Sequence, residues 1–372
     1  MLKELNITII GAGIGGLAAA RVLAMRGAQV TVLEQAAEIA EVGAGLQISP
    51  NGLAVLRAMG LEPQLMAGGA VLADTVRLKD YRGADVLQID LTQLSPQKYY
   101  FVHRAELINL LKDGAQAAGV EIRLNQSVTG AVDGAQAAEA LLGEERHKSD
   151  LIIGADGVHS VVRAALNGEA KPFFTGNVAW RAVVPNSFGR ISDVQVHMGP
   201  GRHLVSYPLR GGELLNLVAV QEREAWLSDS WTQEDDPANL RAVFSDFGDQ
   251  AQAMLAQVET AKQWGLFRHD VAANWHGKRL ALLGDAAHST LPFLAQGAVM
   301  ALEDAWVLGL ALDKSSNLEE GLQAYQQHRF ERTNRVVNAA TGNAWKYHLS
   351  FPPMRFAAHT ALRLGGRLAP NL

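Results

Sequence analysis

Residues 6 to 34 read NITIIGAGIGGLAAARVLAMRGAQVTVLE, and this stretch decides the fold. The apolar run from Ile7 to Ile10 is too short for a helix, and its β-branched residues are typical of a buried parallel strand. A helix is predicted from about Gly15 to Arg26, where Gly27 ends it, followed by a second strand from Val30 to Leu33. The order of strand, helix and strand predicts an α/β domain built on a parallel sheet.

Three glycines after the first strand have the spacing GxGxxG, at Gly11, Gly13 and Gly16. In dinucleotide-binding folds the first glycine permits a tight turn, the second lets a pyrophosphate approach the backbone, and the third lets the helix pack closely on the sheet. The helix N-terminus then directs its free amides at the phosphates. Glu34 ends the second strand, where a carboxylate accepts hydrogen bonds from an adenosine ribose. The stretch therefore predicts a dinucleotide site rather than an ordinary glycine-rich turn.

Composition describes an ordinary globular chain and narrows its partners. The 372 residues allow about two domains, and the net charge of -5 argues against a nucleic-acid partner, which needs clustered Lys and Arg. The absence of cysteine excludes disulfides, thiolate metal sites and a cysteine nucleophile. Histidines and carboxylates do not cluster at metal-ligand spacing, so we expect no metal. Because no signal peptide or long apolar run is found, we expect a cytoplasmic protein with no membrane partner.

Two later segments repeat the opening pattern in weaker form. Residues 150 to 163, DLIIGADGVHSVVR, run from an apolar strand into Asp156 and then a helix start. Residues 279 to 283 form another short strand, which leads into GDAAHSTLPFLAQGAVMALEDA, residues 284 to 305. Open α/β sheets bind ligands at the carboxyl ends of their strands. Asp156 and Asp285 are therefore predicted to face the same crevice as the fingerprint.

The middle of the chain changes to strand patterns, which predict a second, antiparallel domain. We expect a hairpin between Thr75 and Asp90 and four successive strands between Val178 and Val220. Helical patterns run from about Val102 to Gly119, from about Pro237 to Val258 and from about Leu318 to Tyr347. The predicted division assigns residues 1–72, 98–177 and 267–330 to the dinucleotide-binding domain, 73–97 and 178–266 to an inserted β domain, and 331–372 to C-terminal helices.

The three motifs occur in one order and together resemble one family. GAGIGG with Glu34, DGVHSVVR at residues 156 to 163, and GDAAH with AQGA and EDA at residues 284 to 305 are similar to the group A FAD-dependent aromatic monooxygenases. GAGLQISPNG at residues 43 to 52 and HLVSYP at residues 203 to 208 extend the similarity. The resemblance is in particular to the salicylate, 3-hydroxybenzoate and 6-hydroxynicotinate hydroxylases.

The resemblance implies a fold of the para-hydroxybenzoate hydroxylase type. In this α/β fold a Rossmann-type FAD-binding domain carries an inserted antiparallel β-sheet substrate domain and C-terminal helices. It also implies FAD as cofactor and NADH or NADPH as a transient co-substrate, which would bind in a surface groove because the chain has one full fingerprint. The implied reaction hydroxylates a small phenolic or hydroxybenzoate-type ring with O2 through a flavin hydroperoxide. A homodimer is compatible with this family.

Cofactor-binding residues follow by similarity. Glu34 would hold the adenosine ribose, Arg104 and Asp156 would lie near the flavin and its pyrophosphate, and Asp285 would bind the ribityl chain. The complete predicted set is Gly11, Gly13, Ile14, Gly15, Gly16, Glu34, Gly45, Leu46, Arg104, Asp156, Gly284, Asp285, Gly297 and Ala298.

A base near the substrate hydroxyl is needed because a phenol is a better nucleophile once it has lost its proton. His203 and Tyr207 lie four residues apart in a predicted strand, and therefore on one face. A sheet histidine is on its own more often a packed structural residue. The resemblance instead assigns His203, helped by Tyr207, to the base, and Gln296 to positioning the ring.

Two other functions fit the same residues. One is a flavin monooxygenase that acts on a larger polyketide-like or isoprenoid ring, and the other is a flavin-binding redox sensor without turnover. The joint presence of Asp285, Gln296 and His203 favours turnover.

Overall fold

The computed structural model describes residues 2–39, 45–94, 96–226 and 232–368. Gly43 and Ala44, the start of the glycine-rich GAGLQISPNG stretch, lie outside the described residues, as do residues 369–372 of the predicted C-terminal helices. The strands are, in chain order, β1 Asn6–Ile10, β2 Gln29–Leu33, β3 Gly45–Ile48, β4 Val71–Leu72, β5 Thr75–Asp80, β6 Asp85–Asp90, β7 Tyr100–His103, β8 Glu121–Arg123, β9 Gly130–Val132, β10 Ala138–Leu142, β11 Glu145–Ser149, β12 Leu151–Gly154, β13 Phe173–Pro185, β14 Asp193–Gly199, β15 Arg202–Leu209, β16 Leu214–Glu222, β17 Thr232–Asp235, β18 Ala261–Arg268 and β19 Leu280–Leu282. The α-helices are α1 Ile14–Ala24, α2 Pro50–Ala58, α3 Glu62–Ala67, α4 Arg104–Ala117, α5 Val161–Asn167, α6 Pro237–Val243, α7 Asp249–Ala256, α8 Asp285–His288, α9 Gly297–Lys314, α10 Leu318–Tyr347 and α11 Pro352–Leu368.

The opening stretch forms the centre of a five-stranded parallel sheet, in the order β19-β12-β1-β2-β8. Ile9 of β1 lies between Ile153 of β12 and Val32 of β2, and all three side chains are fully buried. Helix α1 packs against α4 and α9. Within the described ranges this is the only sheet whose strands are all parallel, so they contain one Rossmann-type unit.

Two fingerprint glycines are required by close approach of the backbone. Gly11 has a φ of +100°, and a Cβ at this position would lie 2.5 Å from the carbonyl oxygen of Ala155. A Cβ at Gly16 would overlap the carbonyl oxygen of Gly11. The glycines therefore permit the left-handed turn and the tight seat of α1 on the sheet.

The second sheet has eight strands in the order β17-β18-β13-β16-β15-β14-β5-β6. The prediction of a wholly antiparallel sheet is wrong at one point, because β5 runs parallel to β14, with Val76 beside Val194. The other neighbouring pairs are antiparallel. A tight turn forces an antiparallel pair, but β5 and β14 are far apart in the chain, so no hairpin sets their relative direction.

The two faces of this sheet have different roles because side chains alternate along each strand. Leu204 and Leu217 face the core that is shared with Phe244 near α6. On the opposite face of β15, His203 and Tyr207 line a cavity. The sheet therefore supports the site from one side while its other face is buried.

Two helix predictions need correction. Val102 and His103 do not open the helix but end β7, where Val102 pairs with Leu46 of β3, so that α4 begins at Arg104. The helical pattern from Pro237 to Val258 forms two helices, because the amide of Gly248 donates to the carbonyl of Tyr81 between α6 and α7.

The domain division stays a prediction, and the bounds of the elements differ somewhat from it. Strand β13 begins at Phe173 and β18 ends at Arg268, so both extend beyond the proposed limits of the β domain. Helix α10 continues unbroken through residue 331. In the part of the chain that the structure describes, no helix is both long enough and apolar enough to cross a membrane.

Two glycines of α10 give a matched test of its packing. Replacing Gly342 by alanine should raise the free energy of unfolding by about 0.5 to 1 kcal/mol, because a Cβ there meets nothing within 4 Å and alanine restricts the unfolded chain. Gly321→Ala should lower it, since its Cβ would lie 2.8 Å from Leu312 Cδ2 and 3.1 Å from Leu312 Cα. Urea denaturation measures both changes. Equal signs for the two variants would contradict the described packing of α10.

Candidate active site

A cavity of about 490 Å³ lies between the carboxyl ends of the parallel strands and the face of the eight-stranded sheet that carries His203 and Tyr207. Its described lining includes three charged side chains, those of Arg104, Arg181 and Asp285. The predicted site residues that line it are Gly13, Ile14, Gly15, Gly45, Leu46, Arg104, His203, Tyr207, Gly284, Asp285, Gly297 and Ala298. The predicted residues that lie outside its lining are Gly11, Gly16, Glu34, Asp156 and Gln296.

Glu34 holds the fingerprint loop at the end of β2. Its Oε2 accepts a hydrogen bond from the amide of Ala12 at 2.7 Å, and its Oε1 accepts from the amide of Ala36 at 2.9 Å. Gly13 precedes α1 in an extended conformation, and no described side chain caps the first turn of the helix. The loop therefore presents backbone amides to the cavity, with a carboxylate fixed behind it.

Replacing Glu34 by alanine should weaken FAD retention by about 1.5 to 3 kcal/mol, because a charged acceptor is lost and the amide of Ala12 loses its partner. The measurement is the dissociation constant from FAD fluorescence during reconstitution. The exposed neighbour Glu38 provides the control variant Glu38→Ala, which should bind FAD normally. Unchanged affinity in Glu34→Ala would contradict this role.

Asp156 supports the site from behind the lining. Its Oδ2 accepts a hydrogen bond from the amide of Val161 at 2.8 Å, at the start of α5. Burial raises the pKa of its carboxyl group, while Ser160 and nearby backbone amides oppose that change. The hydrogen bond to the start of α5 fixes this side chain beside the cavity, where its neighbours Ala155 and Gly157 are part of the lining. Its predicted place near the pyrophosphate stays a prediction.

Asp285 begins α8 and exposes its side chain to the cavity. The surrounding protein raises the pKa of its carboxyl group by desolvation, and the charges of His288 and Arg104 lower it. Gly284 precedes it with a φ of +60°, which suits glycine at the sharp turn out of β19. A carboxylate held here is an acceptor for ligand hydroxyl groups.

A buried ionic cluster stabilises the turn at Gly284. Asp304 Oδ2 accepts the amide of Gly284 at 3.0 Å and pairs with Nε2 of His288 at 2.5 Å. Its Oδ1 accepts from Nε of Arg329 at 2.7 Å, and Arg329 also pairs with Glu303 at 2.7 Å. Burial alone would raise the pKa of Asp304, but His288 and Arg329 hold it at about 2. The Asp304 carboxylate is therefore ionised, and the cluster ties α8, α9 and α10 together.

His203 and Tyr207 line the cavity from β15 of the eight-stranded sheet. Burial lowers the pKa of His203 well below its ordinary value, and His348 lowers it further. Burial raises the pKa of the Tyr207 hydroxyl. A Cβ at Gly45 would lie 2.5 Å from Cε2 of Tyr207, so Tyr207 packs directly on the backbone of β3. Both side chains are therefore neutral and rigidly placed.

Gln296 makes its described side-chain hydrogen bonds outside the cavity lining. Its Nε2 donates to Oγ of Ser49 at 3.0 Å, and its Oε1 accepts from Nδ2 of Asn51 at 3.3 Å. The side chain thus joins the start of α9 to the start of α2, outside the cavity lining. Its neighbours Ala295 and Gly297 do line the cavity, and the ring-positioning role of Gln296 stays a prediction.

Three further residues of the cavity lining were not predicted as site residues. Tyr99 lines it and donates its hydroxyl to Oε1 of Gln47 at 2.7 Å. Arg181 brings a positive charge to the cavity from β13. Tyr347, from the end of α10, lies with its ring centroid 5.3 Å from that of His203. A charged residue in an apolar strand pattern could have indicated that Arg181 belongs to a site. Helix periodicity could not indicate this for Tyr347, because it assigns that residue to packing.

Comparison with known proteins identifies the family. The chain matches the family model described as "FAD binding domain" over residues 4–340. It is 34% identical over 370 residues to the 3-amino-4-hydroxybenzoate 2-monooxygenase of Streptomyces cremeus, which covers 94% of this chain and 90% of the relative. It is 35% identical over 361 residues to the 3-hydroxybenzoate 6-hydroxylase of Polaromonas naphthalenivorans (strain CJ2), covering 93% and 88%. The solved structure of Klebsiella pneumoniae HpxO complexed with FAD and uric acid matches with a TM-score of 0.87 at 26% identity, over 98% of this chain and 95% of that chain.

A Rossmann-type unit that shares a cavity with a large β-sheet is the arrangement of the flavin-dependent aromatic hydroxylases. The chain belongs to the FAD binding domain family, and it is an FAD-dependent aromatic-ring monooxygenase. The predicted family, the para-hydroxybenzoate hydroxylase-like fold and the FAD cofactor are confirmed. The roles of individual site residues stay predictions.

The residues present fit FAD. The uncapped N-terminus of α1 supplies amide donors for a pyrophosphate. No described atom lies within 4 Å of the position that a Cβ on Gly13 would occupy, so a ligand can approach the backbone there. Asp285 supplies a carboxylate acceptor in the same cavity. Amide donors, a carboxylate acceptor and open access to the backbone are therefore all present for this cofactor.

Proposed function

We propose that the protein hydroxylates one small phenolic acid ring with O2 and NADH or NADPH. The observation that carries the proposal is a single cavity that joins Gly13 and Asp285 at its cofactor end to His203 and Tyr207 at its other end. The flavin ring and the substrate must share about 490 Å³, which favours one small ring over a polyketide-like or isoprenoid ring system. A redox sensor without turnover would need no room for a substrate beside the flavin.

The walls of the substrate end support an aromatic acid. Val205 and Val218 provide apolar contact, and Phe293 provides an aromatic ring near His203. Arg181 places a guanidinium in the same cavity, and a positive charge in a partly dehydrated cavity attracts a carboxylate. A ring with both a hydroxyl and a carboxylate satisfies all of these groups.

His203 supplies the base in this proposal. Its Nδ1 is hydrogen-bonded to His348, which leaves Nε2 as the nitrogen for a ligand in the cavity. A lowered pKa keeps the imidazole neutral at neutral pH, so that Nε2 carries a lone pair and accepts the phenolic proton. Bound FAD, once reduced by the nicotinamide, supplies the activated oxygen for the ring. The protein contributes the orientation of the ring, the exclusion of water and the removal of this proton.

A substrate panel tests the proposal. The purified holoenzyme is given 3-hydroxybenzoate, 3-amino-4-hydroxybenzoate, salicylate or 6-hydroxynicotinate with NADH or NADPH, and oxygen uptake and products are measured. At least one compound should stimulate nicotinamide oxidation and yield a hydroxylated ring. Turnover only with larger ring systems would favour the second monooxygenase hypothesis. Flavin reduction without any hydroxylated product would favour a redox sensor.

Location and assembly belong to the same proposal. NADH and NADPH are reductants of the cell interior, which favours a cytoplasmic location.

Helix α11 exposes Met354, Phe356 and Leu364, and a second copy of the chain would cover such an apolar surface. Light scattering after size-exclusion chromatography tests the homodimer, and a monomeric mass would contradict it.

A further inference from the structure

A chain of three hydrogen-bonded side chains leads from the cavity to the protein surface. Nδ1 of His203 lies 2.6 Å from Nε2 of His348, and Nδ1 of His348 lies 2.8 Å from Oε1 of Glu222. The side chain of His348 is completely buried, whereas that of Glu222 is 50% exposed. Each imidazole therefore has one nitrogen toward the cavity side and one toward the surface side.

The backbone fixes the middle member of this chain. His348 follows α10, and its carbonyl accepts a hydrogen bond from the amide of Gly201 at 3.1 Å. The carbonyl of Gly201 in turn accepts from the amide of Glu222 at 2.8 Å. One turn of the sheet thus holds the backbones of His348 and Glu222 in register.

The outer end of the chain opens on a second surface depression. Glu222 lines this groove together with Glu224, Arg268 and Trp345. Trp345 is 62% exposed, so the groove faces solvent. A proton that reaches Glu222 can therefore leave to water without passing through the main cavity.

We propose that His203, His348 and Glu222 form a proton relay that carries the phenolic proton of the substrate to this outer groove. The proposal rests on the proposed function, since it needs a substrate whose hydroxyl is ionised in the cavity. It adds two residues, His348 and Glu222, which lie outside the cavity lining and act through His203.

Each step of the relay conserves protons. The substrate O–H bond breaks and an Nε2–H bond forms on His203, while the Nδ1–H of His203 passes its proton to Nε2 of His348. The Nδ1–H of His348 passes its proton to the carboxylate of Glu222, which releases it to water. Both imidazoles end neutral, each in its other tautomer. Reprotonation of the product along the same path restores the starting tautomers.

Burial explains why His203 needs such a path. An imidazolium ion at His203 would be fully enclosed, beside the aromatic rings of Phe293 and Tyr347 and next to His348. Burial also lowers the pKa of His348, while the hydrogen bond and the charge of Glu222 oppose that change. The described titratable groups that face this pair are therefore Tyr347 from α10 and Glu222 from β16, and Glu222 alone is open to solvent. Holding the proton on His203 is costly, so passing it on makes the base effective.

The test compares Glu222→Gln with Glu224→Gln. A glutamine at 222 still accepts the hydrogen bond from His348 but does not take up a proton at neutral pH, and Glu224 is an exposed glutamate on the same groove. Oxidised holoenzyme is mixed with 3-hydroxybenzoate in weak buffer in a stopped-flow instrument. The phenolate is followed by its ultraviolet absorbance and the released proton by a pH indicator.

The unmutated protein and Glu224→Gln should show fast phenolate formation with simultaneous proton release. In Glu222→Gln both should slow by about tenfold or more, with unchanged affinity for 3-hydroxybenzoate and with recovery when a small buffer such as imidazole is added. Rates equal to those of Glu224→Gln would overturn the relay. Slowing accompanied by weak binding and no recovery would also overturn it, because that pattern indicates a structural role.

The proposed function can fail separately from the relay. If 3-hydroxybenzoate and the other panel compounds are neither ionised nor hydroxylated by the unmutated protein, both proposals fall. If the unmutated protein hydroxylates a panel compound and Glu222→Gln releases protons normally with that compound, only the relay falls.

Discussion

Replacing His203 by alanine is expected to lower the rate of hydroxylated product formation by about 10² to 10⁴, the usual loss when a general base is removed. The proposed base is fully buried and belongs to β15 of the eight-stranded sheet, not to the fingerprint loop. FAD should stay bound and reduction by NADH should continue. The variant is therefore expected to consume NADH and release peroxide in place of product.

The measurement is the ratio of hydroxylated product to NADH consumed. His328 is an exposed histidine on α10, so His328→Ala is the matched control and should couple normally. His203→Gln keeps a polar side chain of similar size, so it separates the loss of the base from the loss of packing. Normal coupling in both His203 variants would rule out His203 as the base.

Replacing Asp304 by alanine is expected to lower the free energy of unfolding by about 3 to 5 kcal/mol. Asp304 is fully buried, and its carboxylate pairs with Arg329 and His288 and accepts the amide of Gly284. Its removal leaves buried donors without an acceptor. Urea denaturation measures the loss, and the exposed Asp313 on α9 gives the control variant Asp313→Asn, which should stay near the unmutated value.

The pH dependence of this loss follows from the lowered pKa. The pKa of Asp304 is about 2 in the folded protein, below the ordinary carboxyl value near 3.9. The group therefore contributes stability above about pH 4 and loses it as the pH falls toward about 2. The difference between the unmutated protein and Asp304→Ala should shrink over that interval. A difference that grows on acidification would contradict the assigned ion pairs.

The opening βαβ unit was predictable because its signal is local. The strand, the three glycines and Glu34 all lie within one short stretch, and the glycines are needed for contacts with neighbouring backbone. The four strands between Val178 and Val220 were likewise predictable from alternation and turn glycines. The parallel pairing of β5 with β14 was not, because strand alternation does not fix which distant strand becomes a neighbour.

Some residues of the site were also predictable from a local pattern, and others were not. His203 and Tyr207 share a strand, so their common face followed from their spacing. Gln296 was placed by its motif, but the direction of its side chain depends on Ser49 and Asn51, which belong to another helix start. His348 comes from the end of a long helix far along the chain, and no local pattern connects it to His203.

The proposed reaction transfers one oxygen atom from O2 to a small aromatic ring bound in the cavity. The most direct measurement is turnover of the best panel compound under ¹⁸O2, with mass spectrometry of the product. We expect one labelled oxygen atom in the new ring hydroxyl, in amounts that match the NADH or NADPH consumed. Product without label, or nicotinamide oxidation that yields only peroxide with every panel compound, would contradict this reaction.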